Sequence, residues 1–129
     1  MIALVDTAHG TFAVDLESGD VAPGEPFERE PEPVLNLPRL VAAAAVGATV
    51  VAVVDAKPPL LVSHDAGTTW RESGRGLPRG RAVAIAAADP DTIVYGARNR
   101  LYLSRDGGVF WSSLPAELPA VVALALREA

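Results

Sequence analysis

Two stretches of this chain are copies of one pattern. Residues 60–70 read Leu-Leu-Val-Ser-His-Asp-Ala-Gly-Thr-Thr-Trp, and residues 101–111 read Leu-Tyr-Leu-Ser-Arg-Asp-Gly-Gly-Val-Phe-Trp. Each is an apolar strand, then Ser-x-Asp-x-Gly, two further residues and a Trp. Each is followed by a Leu-Pro pair, Leu77-Pro78 and Leu114-Pro115. From Ser63 to Ser104 the offset is 41 residues. A unit repeating at that period restricts the chain to an array of one supersecondary element.

The element is a β-hairpin. The strand ends at Ser63 or Ser104, and the carboxylate of Asp65 or Asp106 accepts hydrogen bonds from backbone N–H groups of the turn. Gly67 and Gly108 supply the positive φ that a tight turn requires. Trp70 and Trp111 then open the returning strand and pack against a neighbouring sheet. These are folding roles, so Asp65 and Asp106 read as structural rather than catalytic or metal-binding.

Two more strand signals precede each copy. Val41–Ala45 and Thr49–Val54, parted by Gly47, come before the first, while Ala82–Ala87 and Thr92–Ala97, parted by Asp89-Pro90-Asp91, come before the second. With the hairpin this makes four strands per repeat, the composition of a β-propeller blade. The apolar run from Leu40 to Val54 is 15 residues long, short of the roughly 20 that cross a membrane. Its β-branched Val50, Val51, Val53 and Val54 favour two buried strands, with an alanine-rich helix over Leu40–Val46 as the competing reading.

The Ser-x-Asp-x-Gly-x-Thr-Trp pattern resembles the Asp-box, or BNR repeat, of sialidases, sortilin-type receptors and photosystem II assembly factors. Residues 63–70 match it in full, and residues 104–111 depart at Phe110, where Thr is usual. The resemblance implies an all-β propeller with the box at the outer hairpin of each blade, away from the ligand site. It therefore speaks to fold more than to function.

The termini hold pieces of a third unit. Val121–Leu126 looks like a fresh first strand, and Met1–Val5 with Thr11–Gly19 look like the second and third strands of a blade lacking its first. Asp15, Glu17 and Gly19 fall at the Ser, Asp and Gly positions of a degraded box without its Trp. Continued past the C-terminus into the N-terminus, the numbering puts Asp15 about 40 residues after Ser104, in phase with the complete copies. The expected blades are residues 120–129 with 1–38, residues 39–78 and residues 79–119. Propellers have about four to eight blades, so three blades predict a head-to-tail homodimer of six. In it, the last strand of each chain completes a blade begun by the other's first residues. The competing reading is a monomeric β-sheet domain that is not a propeller.

The net charge of −5 argues against a nucleic-acid partner. With no cysteine, neither a disulfide scaffold nor a thiolate metal site is open to the chain, which is compatible with a cytoplasmic location. The segment from Met1 to Asp6 has no basic region and meets a charge too early for a signal peptide. No cofactor, metal or membrane partner is expected. His9 reads as a turn residue and His64 as part of the outer rim.

Function is expected in loops at one end of the array. These are residues 8–10, 55–59 and 98–100, joining second to third strands, and residues 74–81, 115–119 and the Pro-rich 23–39, leading into the next first strand. Arg75, Arg79, Arg81, Arg98 and Arg100, five of the eleven Lys and Arg residues, fall among them. Guanidinium groups grip carboxylates and phosphates bidentately, so the arginines predict a non-enzymatic binding face for an acidic protein or an anionic small ligand. The competing functional reading is a carbohydrate-binding or sialidase-like propeller. It would need an arginine triad, a Tyr nucleophile and a carboxylic acid, yet Tyr95 and Tyr102 fall in mid-strand.

Overall fold

The computed structural model describes residues 1–128 and is all-β, with no helix among them. Twelve strands run in chain order: β1 (Ile2–Thr7), β2 (Gly10–Asp15), β3 (Val21–Pro23), β4 (Leu40–Val46), β5 (Thr49–Val54), β6 (Leu60–Ser63), β7 (Arg71–Ser73), β8 (Gly80–Ile85), β9 (Ile93–Ala97), β10 (Arg100–Ser104), β11 (Ser112–Ser113) and β12 (Val121–Arg127). They form three antiparallel four-stranded sheets, ordered β4-β5-β6-β7, β8-β9-β10-β11 and β12-β1-β2-β3. No helix among the described residues is long and apolar enough to cross a membrane. The alanine-rich stretch Leu40–Val46 is a strand, held in register by Val50, Val51 and Val53 on β5. Those stiff side chains suit a pleated surface better than a helix.

The first strands β4, β8 and β12 lie side by side, with β8 in the middle, so the β8–β11 sheet has a neighbour on each face. On one face Val83, Ile85, Ile93, Tyr95 and Ala97 pack against Val51, Val53, Leu60 and Val62. On the other, Ala82, Val94, Leu101 and Leu103 pack against Ala3, Val5, Val14 and Val121. Successive residues of a strand point to opposite faces, which is why β9 is apolar and buried throughout. Gly96 marks the closest approach between sheets. A Cβ there would lie 2.7 Å from Val121 Cγ1, so β12 seats against β9 because that position carries no side chain.

β12 pairs with β1, from Ile2 opposite Arg127 to Thr7 opposite Val121, so residues from both termini build one sheet, here within a single chain. The connection from β3 to β4 makes this possible. It runs over residues 24–39, against residues 74–79 between β7 and β8 and 114–120 between β11 and β12. At roughly 3.3 Å per extended residue, sixteen residues reach some 50 Å, enough to carry the chain from an outer strand back to a distant inner one. On the way Arg29 Nη2 donates to Asp6 Oδ2 at 2.9 Å. Residues 29–32 then join β4, β8 and β12 in walling a cavity of about 140 Å³. The face that the first strands present is therefore partly covered by the chain itself.

Cysteines placed at Leu4 and Ala125, which face each other across the ladder, would have Cβ atoms roughly 4.5–5.5 Å apart, close to bridging range. The oxidised L4C/A125C protein is expected to run at single-chain mass on a non-reducing gel. A two-chain band in its place would show exchange of the terminal strands.

Candidate binding face

The two repeated turns are built as their sequence suggests. Ser63 Oγ donates to Asp65 Oδ1 at 2.7 Å and accepts from the N–H of Gly67 at 2.8 Å. Asp65 in turn accepts from the Thr69 N–H at 2.8 Å and from the Thr69 hydroxyl. In the second copy Ser104 Oγ donates to Asp106 at 2.8 Å and accepts from the Gly108 N–H at 2.9 Å, while Asp106 Oδ1 takes the N–H groups of Val109 and Phe110. Hydrogen bonds to the ionised form favour it. The Thr69 hydroxyl and N–H hold the Asp65 carboxyl down at about 2. The Phe110 N–H and the Ser104 hydroxyl lower that of Asp106. Both carboxylates are consumed by their own turns.

The turn after β2 differs from the expected degraded copy. Asp15 itself caps it, accepting the N–H groups of Glu17 at 2.8 Å and Ser18 at 3.1 Å. Glu17 points elsewhere, to the Met1 ammonium at 3.0 Å and to Arg105 at 2.9 Å. Without a Trp, the turn uses the Asp15 carboxylate where the others use a Ser-Asp pair, and Ser18 Oγ accepts the Asp20 N–H at 3.2 Å. Trp111 ties two sheets together: its Nε1 donates to Ser73 Oγ at 2.9 Å, and Ser73 Oγ donates to the Gly108 carbonyl. Trp70 is half-buried beside Gly67.

The opposite ends of these strands carry the candidate face. The loop after β5 lies against the loop after β7, and there Lys57, Arg75 and Arg79 surround Pro58, Leu77 and Pro78 in an open cleft of about 530 Å³. Gly74 and Gly76, both at positive φ, allow the tight bend, which the Leu77 N–H to Gly74 carbonyl bond closes at 3.0 Å. The Pro78 carbonyl is fixed from below by the Tyr95 hydroxyl, which donates to it at 2.7 Å. Arg79 Nε meets Asp55 Oδ1 at 3.3 Å. Lys57 and Arg75 have no salt bridge among the described residues.

The five predicted arginines do not form one patch. Arg75 and Arg79 share the cleft. Arg81 lies on β8 and lines the inner cavity with Glu30 and Glu32. Arg98 and Arg100 flank the turn after β9, where Arg100 meets Glu117 at 3.3 Å and the Arg98 carbonyl accepts from the Val121 N–H. Lys57, absent from the predicted site set, completes the cleft; its loop had already been placed on this end, so position was its signal. Of the two tyrosines, Tyr95 is fully buried, and desolvation followed by the neighbouring Tyr102 raises its hydroxyl well above the usual range. It is a poor nucleophile where it stands. No cluster of three His, Asp or Glu residues fit to hold a metal occurs among the described residues.

Compared with protein-family models, with curated proteins and with solved structures, the chain matches none of them.

Two expectations follow from the turns. Asp65 titrates lower in the folded chain than its ordinary 3.8, so its ionised form stabilises the fold above that pH. The contribution is lost as pH falls from 3.8 towards about 2. Thermal melts of the parent and Asp65→Asn should therefore differ at neutral pH and converge through that window; a constant difference would remove the carboxylate from the account. Ser73→Ala strips the partners from the Trp111 N–H and the Gly108 carbonyl at a buried site. It is expected to cost about 2 kcal/mol in denaturant unfolding.

Proposed function

We propose that this chain is an Asp-box-type β-propeller module that binds an acidic partner without chemistry, through the cleft of Lys57, Arg75 and Arg79. The observation carrying this reading is the cleft's charge balance: three cations surround an apolar floor and meet a single carboxylate, Asp55. In a chain of net charge −5 such a concentration needs a reason, and a carboxylate-bearing ligand supplies one. The Pro58, Leu77 and Pro78 surface favours a ligand with an apolar portion beside its charge, such as a peptide. The exposed Asp55–Arg79 pair supports this reading, since it is a carboxylate already met by one of the three cations.

Propeller closure belongs to the same reading. Three sheets per chain make six in a head-to-tail homodimer. The terminal sheet offers half-exposed Ile2 and Leu4 on the face turned from the core, and the β4–β7 sheet offers half-buried Leu61 and Trp70. Apolar side chains on both outer sheets are what such a contact needs. Light scattering is expected to give a mass near two copies of 13.4 kDa; a single-copy mass at all concentrations removes the six-sheet ring.

Polyglutamate is a suitable probe for the cleft. Exposed ion pairs contribute roughly 0.2–1 kcal/mol each, so K57A/R75A/R79A should weaken polyglutamate binding about tenfold and leave the thermal melt unchanged. R98A/R100A should do less, because Arg100 already answers Glu117. Equal binding by the parent and the triple variant would sink the proposal.

A further inference from the structure

The connection between β3 and β4 carries charge of the opposite sign. Residues 25–34 read Glu-Pro-Phe-Glu-Arg-Glu-Pro-Glu-Pro-Val, with four glutamates and one arginine. All four glutamates are exposed, and none has a salt bridge among the described residues. Val34 is 101% exposed, an apolar side chain with nothing over it. The segment leaves β3 and enters β4 at the end of the molecule where the cleft opens, since residues 74–79 make the equivalent link between the next two sheets. One end of the molecule therefore presents an acidic, proline-bearing strand and a basic, proline-lined cleft, and within one chain Lys57 and Arg75 do not meet it.

We infer that the cleft of one chain takes the acidic segment 25–34 of a second copy. The occupant rests on the cleft being a carboxylate site, but it commits that site to a particular peptide. Charge and shape both fit: glutamates spaced two or three residues apart face the three cations, and Phe27 or Val34 covers the Leu77 and Pro78 floor. Proline pre-extends the segment, so docking orders little that was free. Because segment and cleft sit on the same end, a two-fold axis that pairs the chains side by side, as in the six-sheet homodimer, lets the contact form twice. In its own chain the segment is tethered by Arg29 to Asp6, an exposed pair, and residues 29–32 line the inner cavity with Arg81, so docking on a second copy trades these contacts for those of the cleft.

The test uses a labelled peptide of residues 25–34 and the intact protein. Polarisation should show saturable binding at about 0.01 M salt, where charges are felt over roughly 30 Å. At about 1 M, where that range falls to roughly 3 Å, binding should weaken at least about tenfold. R75E/R79E should lose the peptide, and a peptide with lysine at positions 25, 28, 30 and 32 should bind R75E/R79E and not the parent. In the intact chain, E25Q/E28Q/E30Q/E32Q should reduce the low-salt mass to that seen at high salt. If polyglutamate binds the parent and the 25–34 peptide does not, self-docking is wrong and the cleft reading stands. If neither binds, both fall. Equal peptide binding by the parent and R75E/R79E also overturns the inference, by placing the segment elsewhere.

Discussion

The ladder between β12 and β1 decides how everything else is arranged. Without it β12 would present an unpaired row of N–H and C=O groups, and β1 would be an open edge. With it the two ends of the chain become neighbours in one sheet, whose buried face then closes over Val94, Leu101 and Leu103. The β8–β11 sheet is covered on both sides as a result, and β9 within it can be apolar and buried throughout. The same ladder fixes a topological cost. Once β1–β3 belong to the last sheet in space but the first in sequence, the chain must travel back to begin β4, and residues 24–39 make that journey.

A division of labour between the two ends of the sheets follows. At one end the Ser-x-Asp-x-Gly turns spend their polar atoms internally: each serine hydroxyl and each aspartate carboxylate is satisfied within about five residues of chain. A carboxylate bound by two or three local donors is a poor base and a poor metal ligand, because its lone pairs are used and its proton affinity is low. At the other end the loops vary in length and composition and hold side chains that their own chain leaves free. The proposed binding site lies at that end.

Much of this was legible in the residues, because the informative signals are local. Ser, Asp, Gly and Trp at fixed spacing define a hairpin by turn geometry alone, and alternating or continuous apolar runs define half-buried or fully buried strands. The partner of Val121–Arg127 was also readable, since its phase pointed to Met1–Val5. Whether that partner lay in the same chain was not, because sequence phase is identical for internal closure and for exchange between copies; what differs is the reach of residues 24–39. Asp15 and Glu17 show how the degraded copy works. Their spacing matched the serine and aspartate of the repeat, but a carboxylate at the first position already caps the turn and releases the second for Met1 and Arg105. The arginines were found by position, yet five in the right loops are not five in one place. Asp55 and Glu117 divide them, and pairing between loops is a tertiary fact.

The cleft's energetics suit reversible association better than tight capture. Its cations are exposed, so each contributes little on its own and is screened by salt. Such charges do more for encounter rate and for rejecting wrong partners than for affinity. The apolar lining adds what the charges lack: Pro58, Leu77 and Pro78 lie among the cations, and the Pro78 carbonyl is held by the Tyr95 hydroxyl. A ligand that satisfies only the charges, such as a small anion, loses that half of the interaction, and one that satisfies only the floor loses orientation. On the proposed reading, an extended segment carrying both is the ligand that fits, because the two halves lie side by side on neighbouring loops.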